Sequence, residues 1–348
     1  MDELAAVIAA YFPPNLPVTV QELVGGNINR GFLLDDGRRP LVVQRINPAV
    51  FPDPRQVVAN FAVLSAHLAA RDFLVAKPVA TLSGSDSFQA ADGALWRAQT
   101  YIAEHAPGVT ARPQSMGTIL AFFHRLTSNL PAQKLPPTIP GFHDTPRYLQ
   151  ETDRALAEAP KNSEDEAELH WCIGILERFR PMADYFAKKE AAGKISRHLT
   201  HGDPKRENFI CDDQGQALGL FDLDTAGPGF IAHDVGDCLR SLANPAGEEA
   251  SLEAIYFDLD ICQEFLAGYR REYARKYTNM SQEAPPLDIF AGVFTIAFEL
   301  GLRRLSDHLR GDRYFRVARR GDNLLLAMGQ LRLAELVAAN EKKICALA

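Results

Sequence analysis

The chain's 348 residues suffice for one large or two modest domains with a sizeable core, which excludes a peptide hormone or a disulfide miniprotein. With 47% hydrophobic and 23% charged residues it has the balance of a folded soluble protein, not of a disordered or fibrous one. Lys and Arg total 37 against 44 Asp and Glu, a net charge of -7, and an acidic surface repels phosphate backbones and anionic lipid, so neither nucleic acid nor a membrane is expected as a partner.

The amino terminus, MDELAAVIAAYFPP, has an apolar run cut short by Pro13 and Pro14 and lacks the basic region of a signal peptide. Residues 18–24, 32–34 and 41–46 read as three antiparallel strands, separated by the Gly25-Gly26 break and the Asp35-Asp36-Gly37 turn. From Asp53 the pattern turns helical. Pro54 suits a first turn, and Val57, Val58, Phe61, Leu64 and Leu68 recur on one face. Residues 79–82, 88–90 and 95–102 add strand-like runs.

After Pro107-Gly108 long helical patterns take over, at 116–126, 146–159, 166–187, 256–277, 289–308 and 324–340. Two strand-like islands interrupt them, 209–211 and 218–223, and the Pro-rich stretch 130–141 reads as a connector within the domain. Nowhere do about 18 apolar residues run together, the minimum for a transmembrane helix. The five cysteines, Cys172, Cys211, Cys238, Cys262 and Cys345, are odd in number and form no C-x-x-C pair, which reads as reduced thiols and a cytoplasmic location.

The most informative segment is His201-Gly202-Asp203-Pro204-Lys205-Arg206-Glu207-Asn208, followed fourteen residues later by Asp222 in Leu220-Phe221-Asp222-Leu223-Asp224. It resembles the catalytic loop of protein kinases and, more closely, the H-G-D-x-x-x-x-N loop of the aminoglycoside and choline kinase family. The resemblance implies a protein-kinase-like, two-lobed α+β fold, with a strand-rich nucleotide-binding lobe at 1–103 and a helical lobe carrying catalytic loop and acceptor site at 104–348. It also implies ATP and Mg²⁺ as cofactors. Phosphoryl transfer needs a carboxylate near the acceptor hydroxyl, hard oxygen ligands for the metal and positive charge at the moving phosphoryl group. Asp203 is the expected base, Lys205 the expected cation at the γ-phosphate, and Asn208 and Asp222 the expected metal ligands, brought together by a hairpin over 209–221. His201 is expected to pack the loop.

A rival reading takes Asp222-Leu223-Asp224-Thr225 as the D-x-D-x-T nucleophile motif of haloacid dehalogenase-type phosphatases. Against it, more than two hundred residues precede the motif, and the alternating βαβ units it needs are missing. A kinase fold kept as a nucleotide-binding scaffold is the non-enzymatic alternative, opposed by the retention of Asp203, Asn208 and Asp222 together.

In the first lobe, the resemblance makes Gly25 and Gly26 a phosphate-covering turn and puts Arg45 where protein kinases carry a strand lysine. The following helix has no Glu to pair with Arg45, leaving Gln56 or Asn60 as neutral substitutes. Tyr101 and Ile102 fall in a segment similar to the adenine-reading hinge.

Four further segments, 25–29, 43–51, 141–145 and 299–315, resemble the N-acetylhexosamine 1-kinase branch of the family. That implies transfer to the anomeric hydroxyl of an N-acetylhexosamine, with Asn27, Arg303 and Tyr314 as sugar contacts beside Asp203. Two departures bear on the acceptor: the loop reads HGDPK rather than HNDTK, and the helix retains only Asn60 of a Glu-Asn pair. A choline-like or aminoglycoside-like acceptor, its cation met by Asp224, Asp234 or Asp237, is the alternative. Asp234 and Asp237 are expected to brace the catalytic loop, and His67, His124 and His308 to be core or surface residues. The remaining expectations are a small-molecule partner, a sugar above others, and a monomer or homodimer.

Overall fold

The computed structural model describes residues 3–23, 28–103, 109–159, 166–275 and 287–347, so the expected contacts Gly25, Gly26 and Asn27 lie outside the described residues. The N-terminal region opens with α1 (Glu3–Tyr11), then β1 (Thr19–Leu23), β2 (Arg30–Asp35) and β3 (Leu41–Arg45). Next come α2 (Pro54–Ala69), β4 (Pro78–Val79), β5 (Phe88–Gln89) and β6 (Leu95–Thr100). The sheet is antiparallel in the order β1-β2-β3-β6-β4, with β5 also paired to β6. As the sequence suggests, α2 starts where Asp53 accepts from the backbone N–H groups of Arg55 and Gln56 and Pro54 needs no partner.

Strand alternation gives the sheet two different faces. Phe32, Leu34, Leu41, Val43, Trp96 and Ala98 point to one side and pack with Val7 and Tyr11 from α1 and with Phe12 just after it. Gln44 and Arg97, paired across β3 and β6, point to the other side, where Arg97 lies over the ring of Phe61 on α2. Leu74 bridges in parallel to Gly219, tying the first region to the second.

The C-terminal region is mainly helical: α3 (Pro113–Thr127), α4 (Thr145–Glu158), α5 (Glu166–Phe179), α6 (Tyr185–Ala191), then β7 (His198–Thr200), β8 (Phe209–Cys211), β9 (Ala217–Leu220) and β10 (Gly227–Gly229). It continues with α7 (Ile231–Leu242), α8 (Leu259–Ala274), α9 (Ile289–Leu309), α10 (Asp322–Ala339) and α11 (Glu341–Leu347). β8 and β9 form the expected hairpin, and β7 pairs with β10. This is the protein-kinase-like α+β architecture. The phosphatase reading fails here, because Asp222 follows a two-stranded hairpin rather than a strand of a parallel βαβ sheet.

Two expectations need correction. The helix expected over 166–187 is two helices, split by a 3-10 turn at Arg180–Met182 in which Pro181 has no N–H to continue the ladder. The strand expected over 79–82 pairs only at Pro78–Val79.

The main core joins α3, α7, α8, α9 and α10, with fully buried Phe123, Phe265, Phe294 and Phe298 each worth about 1.5–3 kcal/mol of burial. α7 runs through its middle, with all twelve residues buried. Gly236 on α7 faces Gly292 on α9 so closely that a Cβ on either would strike the other helix's backbone. That contact fixes α7, which carries Asp234 and Asp237 beneath the catalytic loop.

Candidate active site

The loop between β7 and β8 is held mainly by backbone hydrogen bonds to buried side chains. Asp234 accepts from the N–H of His201 at 2.7 Å and of Gly202 at 2.9 Å, while His124 from α3 meets its Oδ2 at 2.8 Å. The other nitrogen of His124 meets the Tyr269 hydroxyl at 2.7 Å. Asp234 is fully surrounded, yet His124 and the loop amides hold its carboxyl below the usual range against the cost of burial. His201 bonds the carbonyl of Phe221 at 2.8 Å, linking the loop to the strand that leads to Asp222. Gly202 has φ +86°, and a Cβ there would come within 2.7 Å of the Thr225 carbonyl oxygen, so only glycine fits.

Within this frame four of the expected residues come together. Lys205 Nζ donates to Asp203 Oδ2 at 3.0 Å, and Asn208 Nδ2 donates to the Asp203 carbonyl at 2.7 Å and its carboxylate at 3.2 Å. With its amide nitrogen so used, Asn208 keeps Oδ1 as a hard oxygen donor. The Phe221 N–H donates to the Asn208 carbonyl at 2.7 Å, so one hydrogen bond joins the segments bearing Asn208 and Asp222. Asp222 sits in the left-handed region at φ 56°, a conformation that costs a non-glycine residue roughly 1 kcal/mol or more. Its side chain is open to the cleft but ringed by protein. The surrounding protein, then the charges of Asp224 and Asp203, push its carboxyl up to about 6, with Lys205 and Arg97 pulling the other way. Lys205 is held protonated chiefly by Asp203. A carboxylate crowded by like charge beside a free amide oxygen fits a divalent cation.

Asp224, two residues on, is not free. It is 2% exposed and pairs with Arg97 at 2.5 Å, while Asn29 donates to its other oxygen at 2.8 Å and Thr138 to its carbonyl at 2.6 Å. Arg97 is held in turn by Gln44 at 2.7 and 3.1 Å, and its buried Nη1 has no hydrogen-bond partner among the described residues. Two donors from the N-terminal region, Arg97 on β6 and Asn29 just before β2, thus converge on one carboxylate of the helical region.

Arg45 is not in this cleft, which corrects its expected role. It shares the α1 side of β3 with Leu41 and Val43, and there it pairs with Glu3 at 3.1 Å and Asp92 at 2.9 Å. Gln56 and Asn60 do not face it either: Gln56 donates to Asn60 at 2.7 Å, and Asn60 donates to the Pro136 carbonyl at 2.8 Å. Tyr101 and Ile102 follow β6, with Ile102 packed on the helical core. Beside them a cavity of about 340 Å³ lies between Ala103, Thr110, Ile210, Cys211 and Phe221, largely apolar but with Arg206 and Glu207 at its lining.

Arg303 and Tyr314 do meet. Arg303 Nη2 donates to the Tyr314 hydroxyl at 3.0 Å, and the guanidinium lies 5.2–5.4 Å from the ring centres of Phe142, Tyr148, Tyr314 and Phe315. Asp307 anchors the Tyr314 segment by accepting from the N–H groups of Arg313, Tyr314 and Phe315 at 2.8–2.9 Å. The cavity they line, about 600 Å³, does not touch the catalytic loop; it shares Ile139 with a cavity of about 270 Å³ that does, at Gly202 and Thr225. The Arg303 wall reaches the loop through Phe142 and His143, whose rings lie 4.0 Å apart.

Of the carboxylates expected to receive an amine, Asp224 is neutralised by Arg97 and Asp234 is occupied by the loop amides and His124. Asp237 pairs with Arg240 at 2.8 Å instead of bracing the catalytic loop. Arg240 also pairs with Glu248.

Three residues of this site escaped the sequence reading: Arg97, His124 and His143. Only Arg97 carried a signal, since its alternation with Trp96 and Ala98 places a cation on the cleft face.

A profile of the phosphotransferase enzyme family matches residues 19–284. Among solved structures, the chain is similar to a microcompartment-associated aminopropanol kinase at 17% identity, covering 98% of each chain, TM-score 0.64. It is similar to an aminoglycoside phosphotransferase from Alicyclobacillus acidocaldarius at 17% identity over 98% of this chain and 96% of that one, TM-score 0.60. A choline kinase from Cryptosporidium parvum matches at 11% identity over 99% and 96%, TM-score 0.60. At these identities the likeness is one of fold.

Proposed function

The chain belongs to the phosphotransferase enzyme family, and from that premise we propose that it transfers the γ-phosphate of ATP to a sugar hydroxyl, the anomeric one of an N-acetylhexosamine. ATP would lie in the cleft with adenine toward the cavity behind Ala103 and its phosphates toward Lys205, Asn208 and Asp222. A magnesium ion held by Asn208 Oδ1 and Asp222 would supply the charge neutralisation that phosphate oxygens need.

Asp203 is the base in this reading. It takes the proton of the acceptor hydroxyl as the new O–P bond forms, while the bond from the γ-phosphorus to its bridging oxygen breaks to leave ADP. Lys205, paired with Asp203 in the free protein, turns its charge to the transferred phosphoryl group. The loop's anchorage to Asp234 keeps Asp203 placed without help from substrate.

The observation that carries the acceptor class is that, among the described residues, the carboxylates packed around the catalytic loop other than Asp203 and Asp222 already face protein partners, with one Asp237 oxygen left without a hydrogen bond. Asp224 and Asp237 each face an arginine, and Asp234 is bound by two amides and His124. In the neighbouring cavity Glu151 faces Arg147, and Glu158 stands at the exposed rim. Arg303 lines that cavity with Arg147, Arg310 and Arg313, and it is framed by four aromatic rings, which suits ring hydroxyls and an acetamido carbonyl. The test is ADP release with Mg-ATP and a panel of N-acetylhexosamines, hexoses, choline and an aminoglycoside. Turnover confined to sugars supports the reading; turnover of choline or the aminoglycoside alone overturns the acceptor assignment while keeping the reaction.

A further inference from the structure

His143 sits on the segment that leads into α4 and has no part in the reaction as drawn above. Its ring lies between two oxygens. Nδ1 is 3.0 Å from Glu299 Oε1 on α9, and Nε2 is 2.9 Å from the carbonyl oxygen of Gly202, the residue before Asp203. A peptide carbonyl can only accept a hydrogen bond, and an ionised carboxylate can only accept, so a ring satisfying both carries a proton on each nitrogen. Glu299 is 1% exposed, and its second oxygen already accepts from the Thr145 hydroxyl at 2.8 Å.

The backbone is bent to make this contact. His143 has φ 58° and Gly141 φ 67°, and a left-handed non-glycine residue is uncommon and costs roughly 1 kcal/mol or more. The strain is spent on aiming one ring at the loop that carries Asp203.

We infer that His143 is a positioning residue which, as an imidazolium clamped between Glu299 and the Gly202 carbonyl, fixes the peptide that presents Asp203. Its role rests on the reading of Asp203 as the base. The groups facing it agree with a charged ring. Burial pulls the His143 pKa down, but the charge of Glu299 on α9, its hydrogen bond and the Gly202 carbonyl together raise it, and the same pairing holds Glu299 below its usual range despite burial; Asp237 on α7 is a second anion that feels the ring's charge. His233 on α7, with its ring 5.4 Å away, is pushed down to about 3 by burial and by His143, so it stays neutral. Arg303, one turn along α9, opposes the charge, and Thr145 on α4 binds Glu299.

The device differs from the bond between Asp234 and the loop amides. Asp234 holds two N–H groups from below; His143 holds the carbonyl between them and Asp203 from the acceptor side, and it can release that grip by losing one proton. Loss of the Nε2 proton would turn a donor into an acceptor facing a carbonyl, which repels. Asp203 placement, and with it phosphoryl transfer, should therefore weaken as pH rises.

The experiment is a ¹⁵N titration of the full chain labelled at histidine, with the His143 signals assigned by their loss in His143→Gln, and the backbone amide of Asp203 followed in parallel. Both ring nitrogens should stay protonated through pH 7, and the Asp203 amide should shift together with the ring as the second proton leaves. Glu299→Gln should move that titration to lower pH. A ring carrying one proton at pH 7, or an Asp203 amide indifferent to the ring's titration, overturns the proposal. Should His143→Gln fail to fold, Glu299→Gln and the wild-type titration still decide it. In activity, kcat with N-acetylglucosamine should fall with the same titration while KM for Mg-ATP holds, and the high-pH fall should vanish in His143→Gln. Asp203→Asn is assayed alongside: wild-type turnover in that variant would sink the phosphotransfer reading, whereas the ring's charge is read without any turnover.

Discussion

Arg97 on β6 and Asp224, two residues beyond Asp222, form an ion pair at 2.5 Å in which both side chains are 2% exposed. The pair joins the sheet to the loop of the expected metal ligand, with the strand-borne cation on β6 and not at Arg45 on β3, where the sequence reading puts it. Gln44, on the cleft side of β3, orients the guanidinium without adding charge.

Removing one half of this pair leaves a buried charge alone. Arg97→Ala is expected to cost about 3–5 kcal/mol by chemical denaturation, and Arg97→Met combined with Asp224→Leu clearly less than either alone. Arg45→Ala, which loses only half-exposed pairs, should cost about 0–1 kcal/mol and leave KM for ATP unchanged. A large rise in that KM would return Arg45 to the nucleotide site.

Asp203→Asn should bind ATP as the wild type does and lose about 10²–10⁴ in kcat, read by ADP release alongside calorimetric nucleotide binding. Equal losses of affinity and turnover would instead make Asp203 a binding group.

With its carboxyl at about 6, Asp222 is largely ionised at pH 7.5 and largely protonated at pH 5 in the metal-free protein. A divalent ion must compete with that proton, so magnesium should raise the melting temperature more at pH 7.5 than at pH 5. The sign follows because the raised value means the lone charged form is the unfavourable one above pH 6, and the metal relieves it. Asp222→Asn should flatten the difference.

The His143 and Glu299 pair acts in a higher pH range than Asp222. A histidine raised on folding adds stability that is full below its unfolded value of about 6.5 and is lost as pH climbs through the folded one. Stability should therefore decline above neutrality in the wild type and decline less in Glu299→Gln, as measured by denaturant melts from pH 6 to 9.

Arg303→Met and Tyr314→Phe should act on acceptor affinity. Losing a hydrogen bond to a charged group is worth about 1.5–3 kcal/mol, so Arg303→Met should raise KM for the sugar roughly 10- to 100-fold with KM for ATP unchanged. Tyr314→Phe should do less, since its ring contact with Arg303 persists.

The catalytic loop and its hairpin were legible because they are local. Asp203, Lys205 and Asn208 span six residues, and the turn between Cys211 and Ala217 brings Asp222 back by simple strand pairing. Arg45 misled because it was placed by strand order, whereas the parity of Leu41, Val43 and Arg45 on one strand assigns it to the apolar side. α7 escaped although Asp234, Asp237, Arg240 and Ser241 recur on it at helical spacing, because that polar face is buried against the catalytic loop and in ion pairs instead of meeting solvent. His124 and His143 meet partners 110 and 156 residues away, and no local pattern encodes such a meeting. Gly25, Gly26 and Asn27 lie outside the described residues.

The most direct measurement is ³¹P NMR of the protein with Mg-ATP and N-acetylglucosamine or N-acetylgalactosamine, run beside Asp203→Asn. A sugar 1-phosphate signal growing with ADP in the wild type, and absent from the variant over the same time, is the expected result. A wild type that leaves both sugars unphosphorylated while converting ATP with choline or an aminoglycoside would contradict the sugar assignment, and equal product from the variant would contradict the role of Asp203.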